Sequence, residues 1–239
     1  TYYTSNTYQL KREILNFSKK LSHSLPKPQR KFSADMTYGI LVSKAALTDI
    51  ADSLLEPSKK INVVDRLSSH LERGISDTLW DNYRSLIKHW TPSEPVIHID
   101  DSDVVKPDGY KFEALGTVRD GSESTSVKNV YKKGYHVTEA CVMTDSGHPV
   151  SIFSRIHSSA EKGYKSANPI TFSAIKTGAQ LFEKATFVMD RGYDDNKMFT
   201  KLEELRQNYV IRLTQKRKLF FHGKWVPTIE LCSRRKGKV

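Results

Sequence analysis

One short stretch, residues 96–103, constrains the fold of this chain more than any other. Its first half reads Val-Ile-His-Ile, an alternation that predicts a β-strand. The end of that strand carries three carboxylates close together, those of Asp100, Asp101 and Asp103. Like charges a few ångströms apart resist joint ionisation unless a cation neutralises them. The stretch therefore predicts a strand that delivers acids to a site suited to a divalent metal ion.

A second predicted strand ends in the same way. Residues 186–190 read Thr-Phe-Val-Met-Asp, and the segment 191–195 that follows at once reads Arg-Gly-Tyr-Asp-Asp. If the two strands lie side by side, Asp190 shares one site with the acids of the first strand.

A polar break with two prolines separates two kinds of periodicity. Before it, a basic helix is predicted over residues 8–23, and apolar residues then recur at helical spacing over residues 32–90. Asn62 and Ser76 each stand just ahead of a periodic run and are predicted to be helix N-caps. We expect a small helical domain over residues 1–94, and its helices are equally consistent with DNA contacts and with simple packing.

After the break the period changes to two residues. The predicted strands cover residues 96–105, 135–145, 150–157, 186–190 and 209–213, and the predicted helices cover 168–184 and 195–207. This order, β-β-β-α-β-α-β, describes an antiparallel meander extended by parallel strands through helical crossovers, which is the ribonuclease H-like order. We therefore predict an α/β (α+β) fold over residues 95–218, with a mixed sheet of about five strands and flanking helices. The first and fourth strands are neighbours in that topology.

The net charge of +11 is concentrated at the two ends of the chain. Residues 1–31 carry seven Lys and Arg against one acid, and residues 211–239 carry nine against one. Residues 32–210 carry twenty-two against twenty-five acids. A single charge run is usually a solvated tail, but two basic flanks around an acidic centre favour a polyanionic substrate.

Composition excludes several classes of protein. No apolar run approaches the roughly 18 residues that a membrane span needs, and no charged segment precedes an apolar one as in a secretion signal. Cys141 and Cys232 lie far apart without a CxxC or Cys/His cluster, which disfavours a disulfide framework or a zinc knuckle. We expect a soluble protein of the reducing cytoplasm.

Taken together, these motifs resemble those of the bacterial DDE-type insertion-sequence transposases whose third acid lies in a Tyr-x2-Arg-x3-Glu-x6-Lys motif. Residues 99–102 (Ile-Asp-Asp-Ser) resemble the first-acid motif of that family, and residues 188–193 (Val-Met-Asp-Arg-Gly-Tyr) resemble the second. Residues 209–217 resemble the basic strand that follows. The resemblance covers about residues 95–220, and the helical N-terminal region more loosely.

The resemblance implies a ribonuclease H-like catalytic domain that cleaves and joins DNA during transposition. It implies Mg²⁺ or Mn²⁺ as cofactor, with two ions in the complete enzyme. The implied partners are DNA, as transposon ends and target, and a second copy of the chain in a synaptic homodimer, with no membrane. The implied location is the bacterial cytoplasm, in association with the nucleoid.

The chain departs from that family at the third acid. Tyr209-x2-Arg212 is followed by Lys216 where the glutamate is expected, and the only acid in the basic tail is Glu230. The residues before Glu230 read as β or turn and not as the helix that carries this acid in the family. We expect residues 219–239 to begin a β-rich insertion, and the chain to be the catalytically incomplete front part of a longer protein.

The chemistry of phosphodiester cleavage indicates which role each acid could have. Two divalent ions roughly 3.5–4 Å apart can stabilise the attacking and leaving oxygens, and hard oxygen ligands suit Mg²⁺ or Mn²⁺. Asp190 is predicted to be a metal ligand. Asp100 is preferred as the first acid because it alone has Asp-x-Ser spacing, but Asp101 points to the opposite face of the strand and stays open. Asp103 is expected to be a surface or hydrogen-bonding acid.

Four basic residues are candidate DNA contacts. Arg191 could orient a phosphate or a ligand carboxylate, or form a structural salt bridge. The other three candidates are Arg212, Lys216 and Arg217, which could contact backbone phosphates. Lys216 and Arg217 could instead be solvent-exposed charges at the end of a strand. His98 and His136 lie on apolar strands and are predicted to be buried and hydrogen-bonded, not metal ligands.

Two other readings of the chain remain open. Asp101 and Asp103 also fit the Asp-x-Asp motif of haloacid-dehalogenase-like phosphatases, with magnesium acids from residues 190–195. That fold, however, needs a helix directly after the motif strand, where this sequence predicts further strands. A non-catalytic, DNA-binding remnant of a transposase is the other reading.

Overall fold

The first part of the chain is helical, as its 3.6-residue periodicity predicts. The computed structural model describes residues 2–125 and 127–234, and it divides into two compact units, Thr1–His89 and Trp90–Val239. The described residues of the first unit form five helices: α1 (Tyr2–Ser22), α2 (Lys27–Val42), α3 (Leu47–Ser53), α4 (Lys60–Glu72) and α5 (Asp77–Lys88).

A small apolar core joins α2, α3 and α4. Ile50 and Leu67 are fully buried in it, and Phe32 and Met36 of α2 pack against it. A charge cluster adjoins this core: Arg66 of α4 binds both Asp35 and Glu56 at 2.7 Å, and Lys31 binds the same two acids. The described residues of this part of the chain therefore form a packed helical unit, and the predicted domain boundary at residue 94 stays a prediction.

The helix boundaries show which signals in the sequence were reliable. Ser76 is the N-cap of α5, where its hydroxyl accepts a hydrogen bond from the backbone N–H of Leu79. The prediction for Asn62 is wrong, because Lys59 has extended backbone angles and α4 begins at Lys60. Periodicity locates the middle of a helix, whereas the first residue depends on the backbone turn before it.

The second unit contains eight strands and three α-helices among its described residues. The strands are β1 (Val96–Val105), β2 (Gly116–Arg119), β3 (Tyr131–Met143), β4 (Pro149–His157), β5 (Thr186–Met189), β6 (Asn208–Ile211), β7 (Lys218–Phe221) and β8 (Lys224–Pro227). The helices are α6 (Asn168–Leu181), α7 (Asn196–Glu204) and α8 (Thr228–Arg234), and a short 3₁₀ turn covers Arg191–Tyr193.

Six of the strands form one mixed sheet. Its order is β2-β3-β1-β5-β6, and β4 also pairs with β3. β3 is antiparallel to β1, β2 and β4, whereas β1, β5 and β6 are parallel. The predicted mixed α/β architecture is confirmed at this level, and so is the prediction that the first and fourth expected strands, β1 and β5, are neighbours.

The sheet differs from the prediction in two details. It has six strands instead of about five, because the four-residue β2 pairs with the start of β3 and carries too short an alternation to be read from sequence. β3 begins at Tyr131 and not at residue 135, since this added length pairs with β2. The predicted turn at residues 145–148 is present, with Gly147 at a φ of +78°.

Helix α6 approaches the sheet closely at one glycine. A Cβ atom at Gly178 would lie 2.8 Å from both Ile97 Cδ1 of β1 and Phe187 Cζ of β5. Ile97 and Phe187 are paired in the parallel ladder and fully buried. The absence of a side chain at Gly178 therefore lets α6 pack directly on the pair of strands whose ends carry the candidate acids.

The last described strands, β7 and β8, form a separate two-stranded hairpin. His222 and Gly223 turn it with φ values of +47° and +78°. The residues before Glu230 are β-structure as predicted, but Glu230 itself lies in the short helix α8. Of the expected insertion over residues 219–239, residues 235–239 lie outside the part that the structure describes.

Among the described residues, no helix combines the length and the apolar character that crossing a bilayer requires.

Replacing Gly178 with Val should destabilise the second unit. The added methyl groups meet fully buried side chains, and overpacking a filled core typically costs about 1–3 kcal/mol. Lys176→Val is the matched control, because it introduces the same side chain on the exposed face of α6. Urea denaturation measures both variants. Equal unfolding free energies for the two would show that α6 tolerates a side chain at this contact.

Candidate functional site

The parallel pairing of β1 and β5 brings acids together at one end of the sheet. Ile99 pairs with Met189 in the last register position of that ladder. Asp100 and Asp190 are the next residues on the two strands, and neighbouring strands lie about 4.8 Å apart. Asp100, Asp101 and Asp190 all line one open cleft of about 300 Å³. The structure thus brings together all three acids predicted to be catalytic.

Each of these acids is held by a nearby hydrogen bond. Asp190 Oδ1 accepts the backbone N–H of Gly192 at 2.6 Å and so caps the 3₁₀ turn. Asp100 Oδ1 accepts the backbone N–H of Asp101 at 2.9 Å. Asp101 Oδ1 accepts the hydroxyl of Thr138, its register partner on β3, at 2.5 Å. The carboxylates are therefore oriented by the protein itself.

Tyr193 adds a polar group to the same cleft. Its ring is 7% exposed, and its hydroxyl is buried without a hydrogen bond to any described residue. Burial first, and then the negative charges of Asp101 and Asp100, raise the pKa of the phenol. Asp101 contributes to this shift, although its contact with the hydroxyl misses hydrogen-bond geometry. A protonated donor without a fixed acceptor therefore lies among the acids.

Residues at the starts of α6 and α7 also line the cleft. Asp195 caps α7 by accepting the backbone N–H of Lys197 at 3.0 Å. Its other oxygen accepts the amide of Asn168, at the start of α6, at 3.2 Å. Thr171, one turn further along α6, is buried and also lines the cleft. This hydrogen bond ties the two helices together beside the acids.

Two of the four predicted DNA contacts line a second cleft. Arg191 and Arg212 are both exposed, and they border a cavity of about 460 Å³ between the end of β6, the β7–β8 hairpin and α8. No ion pair to Arg191 or Arg212 is present within residues 2–125 and 127–234, so the structural salt bridge considered for Arg191 is not seen there. Lys216 is exposed nearby.

Arg217, the fourth predicted contact, is held within the protein. Its guanidinium forms an ion pair with Asp194, donates to Asn196 Oδ1 at 2.7 Å and stacks on the Phe199 ring at 4.8 Å. Asp194 also accepts the backbone N–H and the hydroxyl of Thr214, both at 2.7 Å. Arg217 therefore joins the loop after β6 to the loop after β5, and it is a poorer candidate for a phosphate contact than Arg191 or Arg212.

The environment of Asp194 favours its charged form. Burial alone would raise the pKa of this carboxyl, but the hydrogen bonds from Thr214 and the guanidinium of Arg217 outweigh burial and lower it. The Asp194 side chain is 1% exposed. No local sequence pattern predicts this pair, because the two residues lie on different loops.

The two histidines of the sheet differ from the prediction in part. His98 is exposed, so its predicted burial is wrong: it lies on the face of β1 opposite the buried Ile97 and Ile99. His136 is partly buried, and its Nδ1 lies 2.7 Å from Asp103 Oδ1. Asp103 is therefore a hydrogen-bonding acid, as predicted.

The cleft suits a hard divalent cation in chemistry but offers an incomplete set of ligands. Carboxylate oxygens are the donors that Mg²⁺ and Mn²⁺ prefer. Over residues 2–125 and 127–234, however, no three His, Cys, Asp or Glu side chains are grouped so as to hold a metal ion. The residues present therefore fit partial coordination by two carboxylates. Comparison of the chain with protein-family models and with curated proteins finds no match.

Replacing Asp194 with Asn should lower the free energy of unfolding at pH 7 by about 3 kcal/mol, because the guanidinium of Arg217 loses its buried counter-charge. The lowered pKa of Asp194 makes this contribution complete above the unfolded-state pKa of about 4. The contribution is lost as the pH falls through the folded-state pKa. Urea denaturation at a series of pH values should show the difference between variant and wild type shrinking below about pH 4.

Asp108→Asn is the control for this experiment, because Asp108 is an exposed acid in the loop after β1. It should leave the unfolding free energy unchanged at both ends of the pH range. A difference between Asp194→Asn and wild type that stayed constant down to low pH would contradict the assigned role of the carboxylate charge.

Proposed function

We propose that the chain acts on DNA as a DDE-type transposase, by metal-dependent phosphodiester hydrolysis and strand transfer at transposon ends. One observation carries this proposal: acids from two neighbouring parallel strands share an open cleft with a buried tyrosine hydroxyl that has no hydrogen-bond partner among the described residues. An acidic cluster alone is often a solvated surface. The unpartnered donor beside it indicates that the cleft takes a ligand with its own acceptor oxygens, as a phosphate has.

The strand order supports a ribonuclease H-like domain. Strands β4, β3 and β1 form an antiparallel meander, and β5 and β6 extend it in parallel through α6 and α7. The short strand β2 is an addition beside β4 on the outer edge of β3. In such a sheet the ends of β1 and β5 are adjacent, which is where the acids lie.

Each residue of the cleft has a distinct proposed task. A divalent ion bound there would supply charge stabilisation of the phosphate and an activated water. Asp190 and one acid of β1 would hold such an ion through carboxylate oxygens. The raised pKa of Tyr193 keeps its hydroxyl protonated, so this side chain would donate a hydrogen bond to a phosphate oxygen or a water.

The exposed arginines would position the DNA backbone. Arg191 directly follows Asp190, so a phosphate that it binds lies close to the acids. Arg212 lines the same second cleft as Arg191, and Lys216 is exposed beside it. Guanidinium groups bind phosphates in a bidentate manner, which fixes orientation as well as charge.

One alternative function is favoured by a specific observation. The absence of a three-donor metal group from the described residues is also what a non-catalytic, DNA-binding protein would have. The haloacid-dehalogenase-like alternative is disfavoured for two reasons. Asp103 is hydrogen-bonded to His136, and the described residues between β1 and β2 form no helix. These alternatives predict different responses to metal ions.

Mn²⁺ should raise the thermal unfolding midpoint of the 239-residue chain. A ligand that binds only the folded state stabilises it by mass action, by about 2.7 kcal/mol at a hundredfold excess over Kd. Because few protein ligands are present, we expect weak affinity, with a shift that requires high Mn²⁺ concentrations. Asp190→Asn should abolish the shift, whereas Asp108→Asn should leave it unchanged. Differential scanning fluorimetry with Mn²⁺ and with Mg²⁺ measures it.

A chain that shows no metal-dependent shift would favour the non-catalytic alternative. DNA nicking and hydrolysis of a small phosphate ester, assayed on the same samples, separate the remaining cases. Ester hydrolysis that depends on Asp103 would indicate the phosphatase. Robust DNA nicking would contradict the incomplete ligand set and would make Glu230 the next acid to replace.

DNA binding should weaken steeply with salt. Each neutralised phosphate contributes a slope of roughly −0.9 to log K against log salt. The double variant Arg191→Gln/Arg212→Gln should flatten the slope by about 1.8 if each residue contacts one phosphate. Fluorescence anisotropy with duplexes of different sequence measures the slope, and we expect all duplexes to be affected alike.

Arg155→Gln/Lys162→Gln is the matched control, because it removes the same charge from exposed positions on and after β4. It should leave the slope nearly unchanged. Equal slopes for the two double variants would place the DNA contact elsewhere in the chain.

A further inference from the structure

A chain of hydrogen bonds leads from Asp101 into the interior of the sheet. The Thr138 hydroxyl lies 2.5 Å from Asp101 Oδ1 and 3.0 Å from His157 Nε2. The three residues lie on β1, β3 and β4, and Thr138 and His157 are 0% and 2% exposed. A solvent-facing carboxylate of the candidate site is thus supported by two fully buried polar side chains.

Counting protons fixes the direction of these hydrogen bonds. A threonine hydroxyl has one proton to donate, and an ionised carboxylate can only accept. Thr138 therefore donates to Asp101, and its oxygen must accept from His157 Nε2, which carries a proton. His157 Nδ1 is buried and makes no hydrogen bond to a described residue, as expected for a neutral ring protonated at Nε2 alone.

Two aromatic neighbours hold the histidine ring in this orientation. The His157 ring stacks on His136 with centroids 5.5 Å apart and on Tyr164 at 6.2 Å, with interplanar angles of 29° and 14°. Burial lowers the pKa of His157, with Asp101 opposing that shift. The donor at Nε2 is therefore fixed in position by packing and not only by its bond to Thr138.

We propose that Thr138 and His157 are positioning residues that hold Asp101 as the ligand-binding acid of β1, in preference to Asp100. This inference rests on the function proposed above. Thr138 binds Oδ1 and leaves Oδ2 of Asp101 for a ligand in the cleft. Oδ1 of Asp100 instead accepts a hydrogen bond from the backbone N–H of Asp101. A buried side chain that hydrogen-bonds to a ligand carboxylate orients it and strengthens metal binding.

Stability alone does not account for the buried pair. Apolar groups of the same shape can replace both partners of a buried hydrogen bond at little cost. Valine has nearly the shape of threonine and would pack at position 138 between the same strands. If position 157 were apolar as well, a hydroxyl at position 138 would serve only the orientation of Asp101.

Four variants, with a fifth held in reserve, test the proposal through Mn²⁺ affinity, measured by electron paramagnetic resonance on the full chain. Thr138→Val should weaken binding roughly tenfold or more, whereas Thr138→Ser, which keeps the hydroxyl, should retain most of the affinity. Asp101→Asn should lose binding, and Asp100→Asn should largely keep it. If Thr138→Val does not fold, His157→Phe keeps a stacked ring, removes the donor and should weaken binding in the same direction.

Nitrogen-15 NMR of the imidazole rings gives a second readout that needs no metal. Wild-type His157 should be the neutral tautomer protonated at Nε2, and Thr138→Val should change its nitrogen shifts while Thr138→Ser preserves them. A His157 protonated at Nδ1 alone would overturn the proposal. Wild-type affinity in Thr138→Val, or equal losses in Thr138→Val and Thr138→Ser, would overturn it as well.

The two readouts also separate this inference from the proposed function. A wild-type chain that binds no Mn²⁺ refutes the metal site, and with it any role of Thr138 in metal binding, while the tautomer still reports whether the hydrogen-bond chain exists. Mn²⁺ binding that depends on Asp190 but not on Thr138 keeps the proposed function and refutes the positioning role.

Discussion

The parallel pairing of β1 with β5 is the constraint on which the rest of the second unit depends. It joins two segments that are far apart in sequence, and it ends where Ile99 meets Met189. A slip of one residue would turn every side chain of β5 to the other face of the sheet. Phe187 would then leave its contact with α6, and Asp190 would leave the acids of β1. The same register therefore sets both the core and the site.

The sequence predicted best what is encoded locally. The alternation of residues 96–105 predicted both ends of β1 correctly, and the run ending at Asp190 predicted the position of β5. The acids of the cleft followed from the ends of these strands. Thr138 and His157 could not be found in this way, because their meeting depends on the register of three strands, which no local pattern contains. Tyr193 lay in a stretch already singled out, but its burial comes from tertiary packing.

The acids near the strand ends divide into two groups by how the protein balances their charge. Asp103 has a histidine beside it, and Asp194 has a buried arginine and two hydrogen bonds from a threonine. In the part of the chain that the structure describes, Asp100, Asp101 and Asp190 have only neutral donors, from backbone N–H groups and a hydroxyl. Of these five acids, the three without a basic side chain beside them are the ones that line the cleft, which is where an external cation can reach them.

The topology of the sheet also orders the folding of the site in time. The antiparallel strands β1 to β4 follow one another in sequence and can pair as they leave the ribosome, whereas β5 must wait for α6 to be made. A nascent chain that has not yet reached residue 186 therefore holds the acids of β1 without their partner. The cleft is complete only after β5 has been made, so until then the growing chain carries two of the three acids without the third.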